Sequence, residues 1–202
     1  QRSEMLSGIS HDLRTPLTRL KLQLAMINQK DLSIKMSKDI DEMEKMLNDY
    51  LQFAKTQVKE DTSIVNLSSV LKEIKNDLSN PNLIMSELKN INLKGRPLSL
   101  KRAFENIIQN GLSYGENVYI HIQKSTNRVL IIFEDDGPGI AEDQYKNVFK
   151  PFFRLDKSRS QNQSGVGLGL AIVEDIINSH GGNIQLGRSK YNGLMFKISL
   201  PF

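Results

Sequence analysis

The sequence predicts an α+β chain: an antiparallel helical hairpin that pairs with a second copy as a dimeric four-helix bundle, followed by an α/β sandwich in which helices cover one face of a mixed sheet. Three observations carry this expectation. Apolar residues recur at three- and four-residue spacing through the first sixty positions, which is the period of a helix. From about Thr62 short apolar or alternating runs exchange with helical patterns, as in an α/β unit. Finally, 202 residues with 39% hydrophobic and 25% charged side chains suffice for two packed domains and lie far from a disordered composition.

The first apolar stripe is Leu6, Ile9, Leu13, Leu17, Leu20, Leu24 and Ile27. A polar turn around residues 29–33 separates it from a second stripe of Met36, Ile40, Met43, Leu47, Tyr50 or Leu51, Ala54 and Val58. Two narrow seams cannot both be covered in a lone hairpin, so a homodimer is expected. The boundary falls near residues 59–63, giving a helical domain 1–60 and an α/β domain 61–202. Within the second, the pattern predicts a helix over 70–78, a strand over 91–94, and a helix over 99–114 begun by Pro97 and closed by Gly115. Strands over 118–123 and 129–134 follow, with Asn127 supplying the turn. After a Gly-rich loop and a polar segment, Gly165 opens a helix that ends in Ser179-His180-Gly181-Gly182, and strands over 184–186 and 195–200 complete the chain. There is no internal repeat.

Several function classes are excluded or disfavoured. No run approaches the ~20 apolar residues of a membrane helix, and no charged-then-apolar signal segment opens the chain. The chain starts at Gln1, almost at the start of a helix, and reads as an excised fragment whose upstream part is missing, which leaves room for a membrane sensor there. The absence of cysteine rules out a disulfide framework or thiolate zinc site and fits a reducing compartment. The formal charge of +4 invites nucleic-acid binding, but the charges are not clustered. Residues 1–60 hold ten basic and nine acidic side chains, leaving seventeen and fourteen for the remainder. A solvated mixed surface explains this, and no direct nucleic-acid contact is expected.

His11 lies two residues after Ile9 and two before Leu13, so at ~100° per residue its imidazole points away from the apolar stripe. Asp12 is its neighbour and Thr15 lies one turn on. Pro16 lacks an N–H and crowds the carbonyl of Asp12, which loosens this turn beside an exposed histidine. The run Ser10-His11-Asp12-Leu13-Arg14-Thr15-Pro16-Leu17 resembles the H box of sensor histidine kinases, and its extension Thr18-Arg19-Leu20 is similar to the EnvZ-type osmosensor kinases. The resemblance implies His11 as phosphoacceptor, Asp12 as its acid/base partner and Thr15 as the residue that orients water for phosphatase activity. A neutral imidazole is a competent nucleophile near pH 7, and an adjacent carboxylate fixes its tautomer.

No G-x-x-x-x-G-K-[ST] run is present, so a nucleotide site would differ from the P-loop. Asp135-Asp136-Gly137-Pro138-Gly139-Ile140 follows a strand and offers a carboxylate beside glycines that permit close backbone approach. Gly165-Val166-Gly167-Leu168-Gly169-Leu170 opens a helix, where free N–H groups favour phosphate. Asn106 and Asn110 lie one turn apart and offer amide oxygens to Mg²⁺ or its waters.

In order and spacing, residues 106–114 resemble the N box, 135–140 the first glycine box, 148–154 the F box and 165–170 the second glycine box of the Bergerat-fold (GHKL) ATPases. The resemblance implies that Asp135 accepts a hydrogen bond from the adenine amino group. It implies that Asn110 ligates Mg²⁺, Asn106 supports the phosphates and Tyr114 lines the adenine pocket. Gly137, Gly139 and Ile140 belong to the first glycine loop; Gly165, Val166, Gly167, Leu168 and Gly169 belong to the second. Residues 156–164 look like a lid carrying Lys157 and Arg159, with Arg154 able to reach the γ-phosphate; ordinary solvated charge is the alternative for these three bases.

Gyrase- and MutL-like relatives place a water-activating glutamate where this chain has Asn106, which cannot serve as a general base. Transfer to histidine is therefore favoured over hydrolysis, and Glu105 should point about 100° elsewhere. The rival readings are a GHKL ATPase that drives a clamp and a dimerisation scaffold with a decayed nucleotide site. The second draws on Ser113 and Gly111, which replace a basic residue and an alanine in the family pattern. A mid-helix glycine costs roughly 1 kcal/mol relative to alanine, so modest stability or affinity is expected. His121 and His180 read as structural and the methionines as core filling. As a whole the resemblance implies a protein-histidine kinase that uses ATP and Mg²⁺, releases ADP and passes phosphate to the receiver domain of a response regulator. It also implies the cytoplasmic portion of a membrane-anchored, inner-membrane protein.

Overall fold

The computed structural model describes residues 16–26, 30–55, 60–86, 90–155 and 167–202; for residues 30, 31, 42, 45, 46 and 48–55 the description is confined to the backbone. The described residues fall into a helical unit and an α/β unit. In the helical unit, α1 covers residues 16–25 and α2 runs Lys30–Lys55. Leu17, Leu24 and Ile40 are buried together with Leu47 packed beside them, as the two apolar stripes predict. Lys21 Nζ lies 2.8 Å from Asp41 and 2.6 Å from Glu44, and Ser33 Oγ donates to the Leu24 carbonyl at 2.9 Å. These pairings run in opposite directions along the two helices, which makes the hairpin antiparallel. The turn differs from expectation. The second helix already begins at Lys30, so most of the polar stretch 29–33 is its first turn. Leu20, Met36 and Met43, all members of the predicted seams, are 44%, 40% and 52% exposed. The loosened turn predicted before Pro16 lies outside the described residues.

The α/β unit begins with β1 (Ser63–Asn66), which pairs antiparallel with β3 (Asn92–Gly95). Between them come α3 (Leu67–Leu78) and β2 (Leu83–Met85). Then follow α4 (Pro97–Tyr114), β4 (Val118–Lys124) and β5 (Arg128–Asp135). Two short 3₁₀ turns, Glu142–Gln144 and Asn147–Phe149, precede α5 (Gly169–Ser179), β6 (Asn183–Arg188) and β7 (Leu194–Pro201). The main sheet has the order β2-β4-β5-β7-β6. Its first pair is parallel and the others antiparallel, so the sheet is mixed, as predicted.

Alternation fixes which face meets the helices. Ile120 lies opposite Phe133, which lies opposite Phe196, and all three are at most 1% exposed. Leu71, Ile74, Phe104, Ile107, Ile108, Val173 and Ile177 cover that face from the three helices. Phe104 and Phe133 place their ring centroids 5.6 Å apart. Burial of each such side chain contributes about 1.5–3 kcal/mol, so this layer holds the rest in register.

Local chemistry explains the differences from the predicted boundaries. The helix expected over 70–78 begins three residues earlier because Asn66 is its N-cap, accepting from Ser69 N at 2.9 Å. The fourth helix begins at Pro97 itself. Its first-turn donors Leu98 N and Ser99 N bond Glu60 at 2.7 and 3.0 Å, and Ser99 Oγ adds a third bond at 2.6 Å. The helix expected to open at Gly165 opens at Gly169, because Gly167 stands at φ +77° and cannot continue a right-handed turn. Strands β1 and β2 were not predicted; each is only three or four residues long.

Candidate nucleotide site

The site is built around the end of β5, where three consecutive carboxylates take hold of neighbouring loops: Glu134 and Asp135 the β6–β7 turn, Asp136 the α4–β4 turn. Glu134, 6% exposed, accepts the N–H of Lys190 at 3.1 Å. Asp135 accepts from Gly137 N at 2.9 Å and from Leu194 N at 3.0 Å through the same oxygen, leaving its other oxygen for a ligand. Asp136 accepts from Glu116 N, Asn117 N and Asn117 Nδ2 at 2.8–2.9 Å, tying down the α4–β4 turn. Burial holds the Asp135 carboxyl above its ordinary range, and the N–H groups of Leu194 and Gly137 oppose this only in part. Burial also pushes Asp136 upward, but its bonds from Asn117 and Glu116 outweigh that and leave it below the usual range. One acid is thus a strained, available acceptor and its neighbour a fixed structural anion.

Glycines make the approach of other segments possible. A β-carbon on Gly137 would stand 2.9 Å from the Tyr114 carbonyl, and one on Gly193 would collide with both the carboxylate and the carbonyl of Asp135. Gly139, at φ +68°, backs onto the carbonyl of Gly193. Gly111 is buried, and a β-carbon there would lie 2.6 Å from Val118 Cγ2 and 3.4 Å from Asp135 Cβ. The expectation that Gly111 is merely a weak point in the helix is therefore corrected: it is the residue that lets α4 lie against β4 and Asp135.

Asn106 and Asn110 are half-buried on α4. The Nδ2 of Asn106 is buried without a hydrogen-bond partner, and a β-carbon on Gly169, the first residue of α5, would lie 3.5 Å from Asn106 Oδ1. An unsatisfied amide thus faces a helix N-terminus, a pairing suited to a bound anion with its cation. No cluster of three or more His, Cys, Asp or Glu able to hold a metal occurs among the described residues. A divalent cation here would take amide and phosphate oxygens, a donor set that suits Mg²⁺. Among the predicted residues, Asn106 stands against Gly169, Asp135 against Gly137, and Gly139 against the Gly193 that abuts Asp135; Asn110 lies one turn along α4 from Asn106, and Gly167 two residues before Gly169. Ile140 is half-buried beside Gly139, while the Leu168 side chain is 2% exposed, so only its backbone can face a ligand. Tyr114 ends α4 with 58% of its surface exposed. Phe152, at φ +64°, donates its N–H to the Gly167 carbonyl at 2.9 Å, joining the segment before the polar run to the second glycine loop; Arg154 lies two residues on and is half-buried. His11, Asp12, Thr15, Lys157, Arg159, Gly165 and Val166 lie outside the described residues.

Three contributors escaped the sequence reading. Asn192-Gly193 is an ordinary turn signal, but nothing local shows that this turn abuts Asp135. The N–H of Leu194 carries no side-chain signal at all. Glu60, assigned to the helical domain, caps the asparagine-bearing helix.

Residues 95–202 match the family described as histidine kinase-, DNA gyrase B-, and HSP90-like ATPase, and residues 1–58 match the His Kinase A (phospho-acceptor) domain. The sensor histidine kinase GtrS of Pseudomonas aeruginosa is 34% identical over 207 residues, covering 100% of this chain and 42% of that protein. The solved histidine kinase domain of the E. coli osmosensor EnvZ is 36% identical with a TM-score of 0.51, over 70% of this chain and 88% of that one. Full-length ShkA, solved in complex with AMPPNP, shares the fold at a TM-score of 0.72 and 24% identity, over 100% of this chain and 46% of that one. With both domains present in this order, the chain belongs to the sensor histidine kinase family and carries its phospho-acceptor and ATPase modules. It spans less than half the length of curated relatives such as GtrS, and no described helix is long and apolar enough to cross a membrane.

Proposed function

We propose that the chain is the catalytic core of a sensor histidine kinase, with residues 1–60 as dimerisation and phosphoacceptor domain and 61–202 as ATP-binding domain. The observation that carries the reading is the meeting of Asp135, the asparagine face of α4 and the N-terminus of α5 around one strand end. The ATP analogue bound to ShkA supports ATP as the nucleotide. Asp135 accepts the adenine amino group through its free oxygen. Asn110 would hold Mg²⁺, which would supply charge neutralisation for the transfer, and Asn106 with the N–H groups at Gly167 and Gly169 supports the phosphate chain.

An imidazole nitrogen of His11 attacks the γ-phosphorus as the bond to the β-bridging oxygen breaks, ADP leaves, and Asp12 takes up the imidazole proton. Such transfer rests on positioning and electrostatics. The phosphoryl group then passes to an aspartate of a response-regulator receiver domain, and Thr15 orients water for its later removal. The exposed apolar positions Leu20, Met36 and Met43 support a homodimer with a shared bundle core. The Thr18-Arg19-Leu20 extension and the EnvZ domain's identity favour an EnvZ-like subtype, anchored in the membrane by segments beyond this sequence.

Incubation with γ-labelled ATP tests the central claim. The unaltered chain gains acid-labile, base-stable label and His11→Gln gains none; label retained on the variant, or turnover without phosphoprotein, ends the reading. For the phosphatase step, a phosphorylated regulator should persist longer with Thr15→Arg than with the unaltered chain.

A further inference from the structure

The face of the sheet turned away from the helices carries a grip on the nucleotide site that the reading above leaves unused. Glu134 projects to that face, opposite in direction to Asp135, yet it is nearly as buried, at 6% against 5% exposed. Its Oε1 accepts the Lys190 N–H at 3.1 Å and faces Ser189 Oγ at 3.4 Å. Its Oε2 lies 3.7 Å from Lys190 Nζ and 3.9 Å from His121 Nε2, and that ring nitrogen is buried without a hydrogen-bond partner. The same turn is pinned a second time on this face, because Tyr191 stacks on Tyr119 with centroids 3.7 Å apart. A buried carboxylate is costly unless hydrogen bonds and opposite charge satisfy it, and the groups that do so here, Ser189 Oγ and the N–H and ammonium of Lys190, belong to the turn 189–193.

That turn delivers the Leu194 N–H to Asp135 and presses Gly193 against the Asp135 backbone. We infer that Glu134 is a positioning and specificity-determining residue: by gripping the 189–193 turn from behind the sheet, it sets the Asp135 carboxylate in the orientation that selects an adenine over a 6-oxopurine. This rests on the nucleotide reading above and adds a residue that does not itself touch the ligand. Without Glu134 the turn keeps the Tyr191–Tyr119 stack but loses its polar anchor at Lys190 N–H, Leu194 N–H shifts from Asp135 Oδ1, and the carboxylate gains freedom to rotate. Adenine loses a defined acceptor, whereas the phosphate contacts from α4 and α5 are untouched.

Titration calorimetry of the full chain with Mg-ADP and with Mg-IDP, which carries a 6-oxo group, separates these contributions. Glu134→Ala is expected to weaken ADP binding about tenfold while leaving IDP binding within about twofold, so the ADP preference shrinks. Glu134→Gln keeps an oxygen acceptor for Lys190 N–H and is expected to retain most of the preference. If Glu134→Ala fails to fold by circular dichroism, Glu134→Asp, whose shorter side chain withdraws the acceptor, is expected to show the same loss of preference. A parallel fall in ADP and IDP affinity would reduce Glu134 to general stability and overturn the inference, as would a glutamine variant no better than alanine. An unaltered protein that binds neither nucleotide, or both equally, would overturn the nucleotide reading itself and the inference with it, a result visible without any substitution.

Discussion

Replacing Gly111 by alanine should change sign according to what stands at position 118. On helix propensity alone the substitution gains about 1 kcal/mol. In the folded protein the new β-carbon would stand 2.6 Å from Val118 Cγ2, with Val118 itself 1% exposed and fixed in β4. Inserting a methyl into a packed interior costs about 1–3 kcal/mol, so Gly111→Ala should destabilise by about 1 kcal/mol net. Val118→Ala removes two buried methyls at a cost of about 2 kcal/mol and clears the obstruction. In that background Gly111→Ala should stabilise by up to about 1 kcal/mol, a coupling of about 2 kcal/mol between the two sites. Urea denaturation followed by near-ultraviolet circular dichroism reads this directly, since four of the five tyrosines lie in the α/β unit. A stabilising effect of Gly111→Ala in the unaltered protein, or additive effects in the pair, would refute the argument that Val118 dictates glycine here.

Asp135→Asn should separate stability from binding. The Asp135 carboxyl is held above its ordinary range by burial, so its contribution is complete below the unfolded carboxyl pKa and is lost as pH rises through the folded value. At pH 7 the asparagine variant should melt higher, while calorimetry shows adenine-nucleotide affinity reduced at least about tenfold. His180 gives the opposite pH dependence. Its Nε2 accepts the Arg96 N–H at 3.0 Å and its Nδ1 lies 2.7 Å from the Ile176 carbonyl; burial, with Arg96 adding to it, lowers its pKa. The unfolded chain then binds the extra proton, so stability is complete above the ordinary value of 6.5 and falls as pH drops through it. Melting temperatures at pH 7.5 and 5.5 should differ more for the unaltered chain than for His180→Gln. Glu60→Ala removes three bonds to the first turn of α4 and should cost about 1–2 kcal/mol by urea denaturation, with Glu60→Gln recovering part of it.

The fold was legible where one pattern ran long enough to be unambiguous. The helical stripes, the alternation of β4 and β5 and the apolar run of α5 each repeat over seven or more residues, and each was found. Strands β1 and β2 were missed because three or four residues hold no period, and β2 exists only through its parallel partner β4. The candidate side chains Asp135, Asn106 and Asn110 could be proposed from the sequence because their motifs carry the chemistry in side chains. The geometry of the site could not, because it depends on long-range approaches such as Gly193 to Asp135 and Gly111 to Val118. Glycine in a sequence says only that a side chain is missing, and what fills the space is set by tertiary packing. The capping role of Glu60 was hidden for a similar reason: a carboxylate that accepts from a helix start 38 residues away leaves no S/T-x-x-E pattern to read.

The bond from Phe152 N–H to the Gly167 carbonyl at 2.9 Å closes a neck: the chain leaves and returns at the same point. Whatever length is inserted or removed between those two residues, α5 and the strand end keep their places, and closing a longer excursion costs only ~0.6 kcal/mol per doubling. That excursion can therefore change in size and charge without moving the strand end beneath it, and a reporter peptide grafted there should leave α5 and the Asp135 contacts intact.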